Sequence, residues 1–579
     1  MSLISGLYTS FQGIRDTEAK IAVSTQNVTN ADKAGYTRKQ YSSNYTTVGN
    51  VTAPINGVVQ SVQLDPYLFE QVIEDLTNAA KAGVKSDYLS SYVERLGNVG
   101  GQSTLNDALD DLTTALDQLS VTPEDAALKS QVVDAAERLA DDLRALSTQI
   151  QAARLQADQE IGSAVISINE SLEKISYLNV EIQTSASRGT NVADFEDERR
   201  VELEKIAALV DVEFFIDSNN RMNIYIGDRS VLSSQITPLD YTPANVIDSG
   251  VLYPGGFDNI TIGGADVTTS LADGKLGGLI ELRDSVFVDE QAKLDNFANQ
   301  LASEMNTLLS QGASIPSRPE MIGETQGLTV ADPLAATGNV RIAVTDQNAA
   351  VISYNDFDLT SYATIGDLVT DINAVLGADL TASLDANGAL VITADNADQG
   401  ISMNQMDSDI GGASFAAFFG LNNMFETDNG ASNITVSDYL SENSVYLATA
   451  RLSDDVALLA GDTGIFVGDG SLAKELNEGL TNPVSFAAAG GFAAQSVSLD
   501  TYADNILSFV ATQAAIATDR AETAALLAEQ TQLEIQNLTG VNIDEEMTHI
   551  VSLEAKYEAA ATMIGTIQEL FQDLLNAVR

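Results

Sequence analysis

The sequence predicts a mainly helical chain with β insertions (α+β). Its terminal amphipathic helices pair as a coiled coil, long helices form a bundle core, and two β-containing domains interrupt them. Three observations carry this. Apolar residues recur every seven positions at both ends of the chain. Spacing of three and four dominates long internal stretches, and strand-like alternation is confined to two of them.

At the amino end, Leu7, Ile14, Ile21 and Val28 stand seven apart, one position of a heptad repeat and hence a narrow seam along one helix. Leu3, Ile4 and Phe11 widen the seam near its start. The run ends at Asn30, and Gly35-Tyr36 reads as a turn. At the other end, Ile550, Tyr557, Ile564, Phe571 and Val578 repeat every seven, and Leu553, Ala560, Ile567 and Leu574 fill the partner position. Asn542 caps this helix, with Glu545 three residues on as a capping-box partner. Gly540 ends the long helix before it.

Between the ends, Asp65-Pro66 opens a helix with proline at its first position. Thr122-Pro123 is the expected start of a long helix towards Ile182, with Gly162 as an interior weakness. A charged helix covers about 194–209. Residues 213–227 alternate apolar and polar about Ser218-Asn219-Asn220, a hairpin pattern. Helical spacing resumes over 276–310 and again from about 440. Within 313–439, residues 339–344 read as a strand and 364–376 as a helix capped by Thr364. A hairpin over 379–395 turns at Asn387-Gly388. The expected organisation places 1–45 and 541–579 in a helical assembly domain, and 46–211, 272–312 and 440–540 in a helical core. Residues 212–271 form a small β domain and 313–439 an inserted α/β module.

Charge excludes several functions. The chain has 82 acidic and 29 basic residues and a net charge of −53. Such a surface repels nucleic acid and anionic lipid, so no nucleic-acid partner is expected. No run of apolar residues is long enough for membrane insertion, and the amino end lacks the pattern of a cleaved signal peptide. There is no cysteine and one histidine, His549, which rules out thiolate and two-histidine metal sites. The module carries 17 acidic and 2 basic residues, but its Asp-rich turns lack the ligand spacing of a calcium loop. No P-loop or nucleophile elbow is present, and Gly277-Gly278 is not followed by the Lys-Ser/Thr of a phosphate cradle. No catalytic, metal or cofactor residue is therefore expected. An enzyme would require a cleft that perturbs a carboxylate pair.

A seam of this size does not by itself offset the ordering of a whole helix in water, so each terminal helix is expected to be loose in the monomer and to order only on assembly. The first 40 residues carry five basic and three acidic groups, and the last 39 carry seven acidic and two basic. The signs favour pairing of the two ends. A monomeric bundle remains an alternative to self-assembly on pattern alone.

The residues Ser24 to Asn30, Ser-Thr-Gln-Asn-Val-Thr-Asn, followed by Ala34-Gly35-Tyr36-Thr37-Arg38, resemble the signature at the amino end of the flagellar rod–hook–filament axial proteins. Gly540-Val541-Asn542-Ile543-Asp544-Glu545-Glu546 is similar to the motif that opens that family's last helix. Further similarity lies at Asp65-Pro66-Tyr67-Leu68, Asp197-Glu198-Arg199-Arg200, Leu276-Gly277-Gly278-Leu279 and Arg283-Asp284. Asp371-Ile372-Asn373 resembles an insert found in some family members. Val28, Thr29 and Ile543 depart mildly from the pattern. The middle segments are most like junction proteins between hook and filament.

The resemblance implies an extracellular structural subunit of the bacterial flagellum, exported by the flagellar type III system without a cleaved signal. It would assemble through its terminal helices into a homo-oligomeric ring, with the two β-containing domains outward. Implied partners are the hook protein, a second junction protein at the filament side, and a cytosolic export chaperone on the C-terminal helix. The implied motif residues are Asn27, Asn30, Gly35, Tyr36, Arg38, Gly540, Asn542, Asp544 and Glu545. Another axial protein, such as flagellin or the second junction protein, and an acidic secreted adhesin are the alternatives.

Overall fold

In the computed structural model, residues 3–48, 51–97 and 105–578 are described, and the side chains of 46–56 and of Val578 lie outside that description. The chain opens with α1 (Leu3–Thr29) and a hairpin of β1 (Lys39–Val48) and β2 (Val51–Ser61). Helices α2 (Pro66–Leu96), α3 (Leu105–Val121), α4 (Ala126–Ser187) and α5 (Ala193–Leu209) follow. The antiparallel sheet β3 (Glu213–Ile216), β4 (Met222–Ile226), β5 (Arg229–Leu232) and the short pairings β6 (Leu239–Asp240), β7 (Thr261–Ile262), β8 (Ala265–Asp266) form a small β unit. Helices α6 (Gly274–Glu281) and α7 (Phe287–Leu309) are joined by one wide turn over Leu282–Val286.

The module comprises β9 (Glu320–Ile322), β10 (Ala336–Thr337), β11 (Asn339–Asp346), β12 (Val351–Asp358), α8 (Ile365–Leu376), β13 (Leu380–Leu384), β14 (Leu390–Ala394), β15 (Gln399–Asn404), β16 (Asp409–Ile410) and α9 (Phe415–Phe419). After it come β17 (Phe425–Glu426), β18 (Thr435–Val436), α10 (Asp438–Glu442), α11 (Ser471–Thr481), β19 (Val484–Phe486), β20 (Gln495–Val497), α12 (Leu499–Thr539) and α13 (Ile543–Val578). The architecture is helical with β insertions, as the sequence predicts.

The helical core is organised on α4, whose 62 residues span about 90 Å at 1.5 Å per residue. Val132, Leu139, Leu143, Ile150, Ile161, Ile168, Leu172 and Ile175 run along its buried side, at the three-to-four spacing that makes a helical stripe. Its cap is Asp125, whose carboxylate accepts from Ala127 N at 2.8 Å, and not Thr122. Pro123 lies in the turn before it.

Gly162 is also not a weak point. A Cβ there would stand 2.5 Å from Cγ of Pro243, so the glycine admits the loop of the β unit against the helix. Gly162→Ala, stabilising by about 1 kcal/mol in an exposed helix, is therefore expected to destabilise by about 1–3 kcal/mol through overpacking. Urea unfolding checks the sign, and a raised midpoint would refute it.

The β unit is held by buried charge. Arg283 Nη1 donates to Asp158 Oδ1 and to Tyr241 Oη, each at 2.7 Å, and both charged side chains are fully buried. Asp284 accepts two further bonds from the same guanidinium, whose face lies 4.2 Å from the Phe257 ring centre. The Gly277-Gly278 pair permits the approach of α2, since a Cβ on Gly278 would come 2.6 Å from Val84 Cγ1.

The module has its own core, including Val340, Ile342, Leu368, Ile372, Leu390, Ile392, Phe415 and Phe419. Thr364 and Asp367 form a reciprocal capping box on α8. The β13–β14 turn places Gly388 at φ +80°, and Asp385 Oδ1 accepts from Asn387 N and Ala389 N, so that carboxylate is committed to the turn. Helix resumes after the module with the short α10, but the next helix begins only at Ser471. Residues 449–470 run without one, and part of the segment lies on the module: Val351 N donates to Asp462 O and Gly461 N to Val351 O. Among the described residues no helix is long and apolar enough to cross a membrane.

Candidate functional site: the clasp at the chain ends

Helices α1 and α13 pack antiparallel: Ser24 Oγ lies 3.2 Å from His549 Nδ1, and Gly6 faces Ile567. The contacting stripe of α1 alternates Leu7, Ile14, Ile21 and Val28, all half-buried, with Ser10, Thr17 and Ser24, which are buried. The expected apolar seam is thus only half of the contact. Small hydroxyl residues occupy the other half and let the two backbones approach. Thr17 satisfies its hydroxyl within the helix, donating to Gly13 O at 2.8 Å. On α13, Leu553 and Ile567 are buried, Ile550, Ile564 and Phe571 half-buried, and Tyr557 and Leu574 exposed. The side chain of Val578 lies outside the described residues. The two ends pack against each other within one chain, a pairing that the isolated seams alone do not predict.

Where the pair meets the body, the motif residues converge. The Asn27 side chain, buried at the end of α1, acts like a strand edge: its Nδ2 donates to Lys39 O and its Oδ1 accepts from Lys39 N, both at 2.9 Å. Tyr36 Oη adds a third bond to Oδ1 at 3.0 Å. Burial, and then the carboxylates of Asp194, Asp197 and Glu546, push the Tyr36 phenol well above its ordinary pKa, which keeps it a proton donor to Asn27. Asn30 closes α1, its Nδ2 donating to Gln26 O. Gly35 sits at φ +75°, and a Cβ there would fall 2.3 Å from Val201 Cγ2 on α5. No side chain fits this turn.

The next residues are stitched in two directions. Towards the body, Thr37 donates through N and Oγ1 to the two oxygens of Asp197 on α5. Lys39 Nζ, fully buried, donates to Asp197 Oδ2 at 2.5 Å, and to Ala193 O and Ser61 Oγ at 2.9 Å. Towards the C-terminus, Arg38 N donates to Thr539 O at 2.7 Å, and its Nε donates to Glu546 Oε1 at 2.6 Å. Glu545 stands 3.5 Å away from Arg38 as a second, exposed partner. Asn542 Oδ1 caps α13, accepting from Asp544 N and Glu545 N. Asp544 stays exposed at the positive end of that helix. Gly540 follows α12 at φ −71°, not in the left-handed form. It is required because a Cβ would meet Gln536 O at 2.3 Å.

Of the motif residues named from the sequence, Asn27, Gly35, Tyr36, Arg38 and Glu545 meet at the clasp, and Gly540 and Asn542 at its hinge. Thr37 and Glu546 stand in the quoted motifs without an assigned role, and the parts of Lys39, Ser61 and the β1–β2 hairpin that presents Lys39 are not anticipated. Lys39 is counted in the sequence as surface charge. The only sequence signal for its partner is the acidic cluster at 194–198. The clasp contains no activated nucleophile. Its chemistry is mechanical, fixing the α1–α13 pair to α5 and α12 at one point.

A cleft of about 800 Å³ lies between α7, the module and residues 423–439, lined by Asn299, Asn306, Arg318, Glu324, Glu426 and Tyr439 among others. It does contain a perturbed carboxyl. Burial, and then the neighbouring Glu426, push Glu324 up to about 9. Asn423 Nδ2 and Ser437 Oγ lie against its oxygens, so the residue joins module to core. The folded state holds this proton up to about pH 9, while the unfolded chain releases it near its ordinary 4.5. Stability from this group therefore falls as pH rises between those values. Glu324→Gln is expected to flatten the decline of Tm from pH 5 to 9; an unchanged slope would exclude Glu324 as its source. Among the described residues no group of three His, Cys, Asp or Glu could hold a metal ion.

Comparison with known proteins bears on the same regions. Residues 90–320 match the family described as flagellar hook-associated protein FlgK helical domain. Residues 536–577 match the flagellar basal body rod FlgEFG protein C-terminal family. The chain is 23% identical to flagellar hook-associated protein 1 of Escherichia coli (strain K12), covering 98% of both chains. It is 23% identical to flagellar hook-associated protein 1 of Bacillus subtilis (strain 168) over 66% of this chain and 82% of that one. In fold it is similar to the flagellar hook junction protein FlgK from Burkholderia pseudomallei, with a TM-score of 0.52 at 14% identity, over 80% of this chain and 99% of that one.

Proposed function

The chain belongs to the FlgK family of flagellar hook-associated proteins, axial structural proteins and not enzymes, and from that premise we propose that it forms the junction ring between hook and filament. It assembles with copies of itself through the terminal helices, after type III export without a cleaved signal. The hook protein lies on one side of the ring and the second junction protein on the filament side. A cytosolic chaperone covers the C-terminal helix before export, and the assembled protein lies outside the cell, neither inserted in a membrane nor bound to nucleic acid.

One observation carries this reading. Helix α13 is covered by the rest of the chain along a single stripe, and Met547, Val551, Met563 and Leu570 stay exposed beside it. Exposed apolar surface at that scale marks a contact with another protein. The clasp sets the direction in which the pair projects, as a subunit that must pack in register requires.

Three measurements test the proposal. Tagged protein is expected at the hook–filament boundary, and tag elsewhere on the cell would sink the junction assignment. Ile564→Asp puts a charge on the stripe facing α1 and is expected to abolish filaments, with the core still folded by circular dichroism. Normal filaments from this variant would show that the pair is dispensable. Deleting 313–439 separates this reading from an adhesin, since junction assembly should persist and adhesion be lost.

A further inference from the structure

We propose that the cleft between α7, the module and residues 423–439 binds a small zwitterion, its carboxylate held by Arg318 and its ammonium between Glu324 and Glu426. The inference does not depend on the junction reading above.

The cleft encloses about 800 Å³, within the range of about 300–1,000 Å³ usual for small-molecule sites. Arg318 precedes β9 and Glu324 follows it, Glu426 ends β17, and Tyr439 lies in α10. These side chains act on one space. Burial raises the pKa of the Tyr439 phenol, Arg318 opposes the rise, and Glu324 and Glu426 add to it.

Arg318 offers the anion site. It is only 6% exposed, and its guanidinium lies 3.5 Å from the centre of the Tyr439 ring. Among the described residues that guanidinium makes one hydrogen bond, from Nη1 to Asn422 Oδ1 at 3.0 Å, and no ion pair. Buried Arg154, Arg199, Arg283 and Arg341 each make at least three such bonds to protein oxygens. A guanidinium carries five N–H donors. The unbonded ones of Arg318 are not sealed from solvent, and the residue lines the cleft. A carboxylate fits that planar fork in shape and charge.

The opposite end takes a cation. Glu324 is hydrogen-bonded to Glu426, and burial, followed by that neighbour, pushes Glu324 up to about 9. It therefore holds a proton at neutral pH. An ammonium placed between the two supplies the positive charge in its stead, and Glu324 ionises as the ligand binds. Exposed Asp428 and Asp438 line the same cleft and draw cations to it. A lone anion would face these carboxyls, and a lone cation would leave Arg318 unmatched. A bare metal ion fits worse, since among the described residues no three His, Cys, Asp or Glu could hold one.

Calorimetric titration of the full chain tests this, with glycine and γ-aminobutyrate as probes and acetate and methylammonium as their separate halves. At least one zwitterion is expected to bind at least about tenfold more tightly than either half, because only it makes both charged contacts. Binding at neutral pH is expected to release a proton, read as a heat that differs between phosphate and Tris buffers. Glu324→Gln keeps the shape but has no proton to give, and is expected to bind the same probe more weakly and without proton release. Arg318→Met is expected to weaken binding by at least about tenfold while keeping the parental circular dichroism. The Glu324 arm stands alone should loss of the Asn422 bond unfold Arg318→Met. No binding of either zwitterion, equal binding of acetate or methylammonium, or the same heat in both buffers would overturn the site. Undiminished affinity in a folded Arg318→Met protein, or proton release that persists in Glu324→Gln, would do so too.

Discussion

Asp197→Ala is expected to lower the free energy of unfolding by about 3–5 kcal/mol, the range for removing one partner of a buried ion pair. The substitution strips Lys39 Nζ of its carboxylate at 2.5 Å while the lysine stays fully buried. Thr37 loses both of its bonds to the same side chain. The damage is also local in a particular way. Residues 36–39 link α1 to α5 and to α12, so the α1–α13 pair should come free while the rest of the helical core survives. Limited proteolysis would then cut near residues 30–40 in the variant and not in the parent. The double variant Lys39→Met with Asp197→Leu removes both charges and is expected to regain much of the loss. An Asp197→Ala protein with the parental urea midpoint and cleavage pattern would show that the clasp does not hold the ends.

Arg283→Met should be at least as costly, again about 3–5 kcal/mol. Asp158 is fully buried and receives its charged bond from Arg283 at 2.7 Å. Ala244 N, at 2.7 Å, and Tyr241 Oη remain as donors but carry no charge. Asp284 loses a bidentate partner too, though it is partly exposed and can hydrate. The consequence falls on the β unit, because Tyr241 and Ala244 belong to its connection across α4. Denaturant unfolding is expected to split into two transitions, with residues 212–271 becoming protease-sensitive in the first. A single transition at the parental midpoint would contradict the assigned role of this arginine.

Much of the local structure is legible in the sequence, for reasons particular residues make plain. Asp65 with Pro66, Thr364 with Asp367, and Asn387 with Gly388 act on backbone groups two to four residues away, so the chain itself supplies both partners. The heptad residues of α13 mark the stripe that meets α1, since a period of seven leaves one side of a helix to be covered. Gly35 and Tyr36 are legible as a turn, and the family motif draws attention to Asn27 and Arg38. The reasons those residues matter are not legible. Asn27 replaces a strand for Lys39, and Arg38 holds a glutamate 508 positions away.

The β1–β2 hairpin was missed because its residues alternate weakly. Only α1, packed on one of its faces, makes the alternation count. Gly162 and Thr122 mislead for a related reason. Helix propensity and capping preference are differences of about 1 kcal/mol, and a single close approach such as that of Pro243 outweighs them.

By itself the sequence determined that both ends of this protein are amphipathic helices, that long helices surround two β-containing insertions, and that the surface is strongly acidic. Each of these follows from periodicity or composition, which one strand of chain carries alone. The tertiary structure decided which lysine is buried, which glycine admits a neighbour, and that hydroxyl residues share the α1 seam with apolar ones. It also decided which side of α13 is left bare. Those outcomes depend on partners such as Asp197, 158 residues from Lys39, and His549, 525 from Ser24. No local preference encodes them, because burial and charge compensation exist only once distant segments have displaced water from the same place.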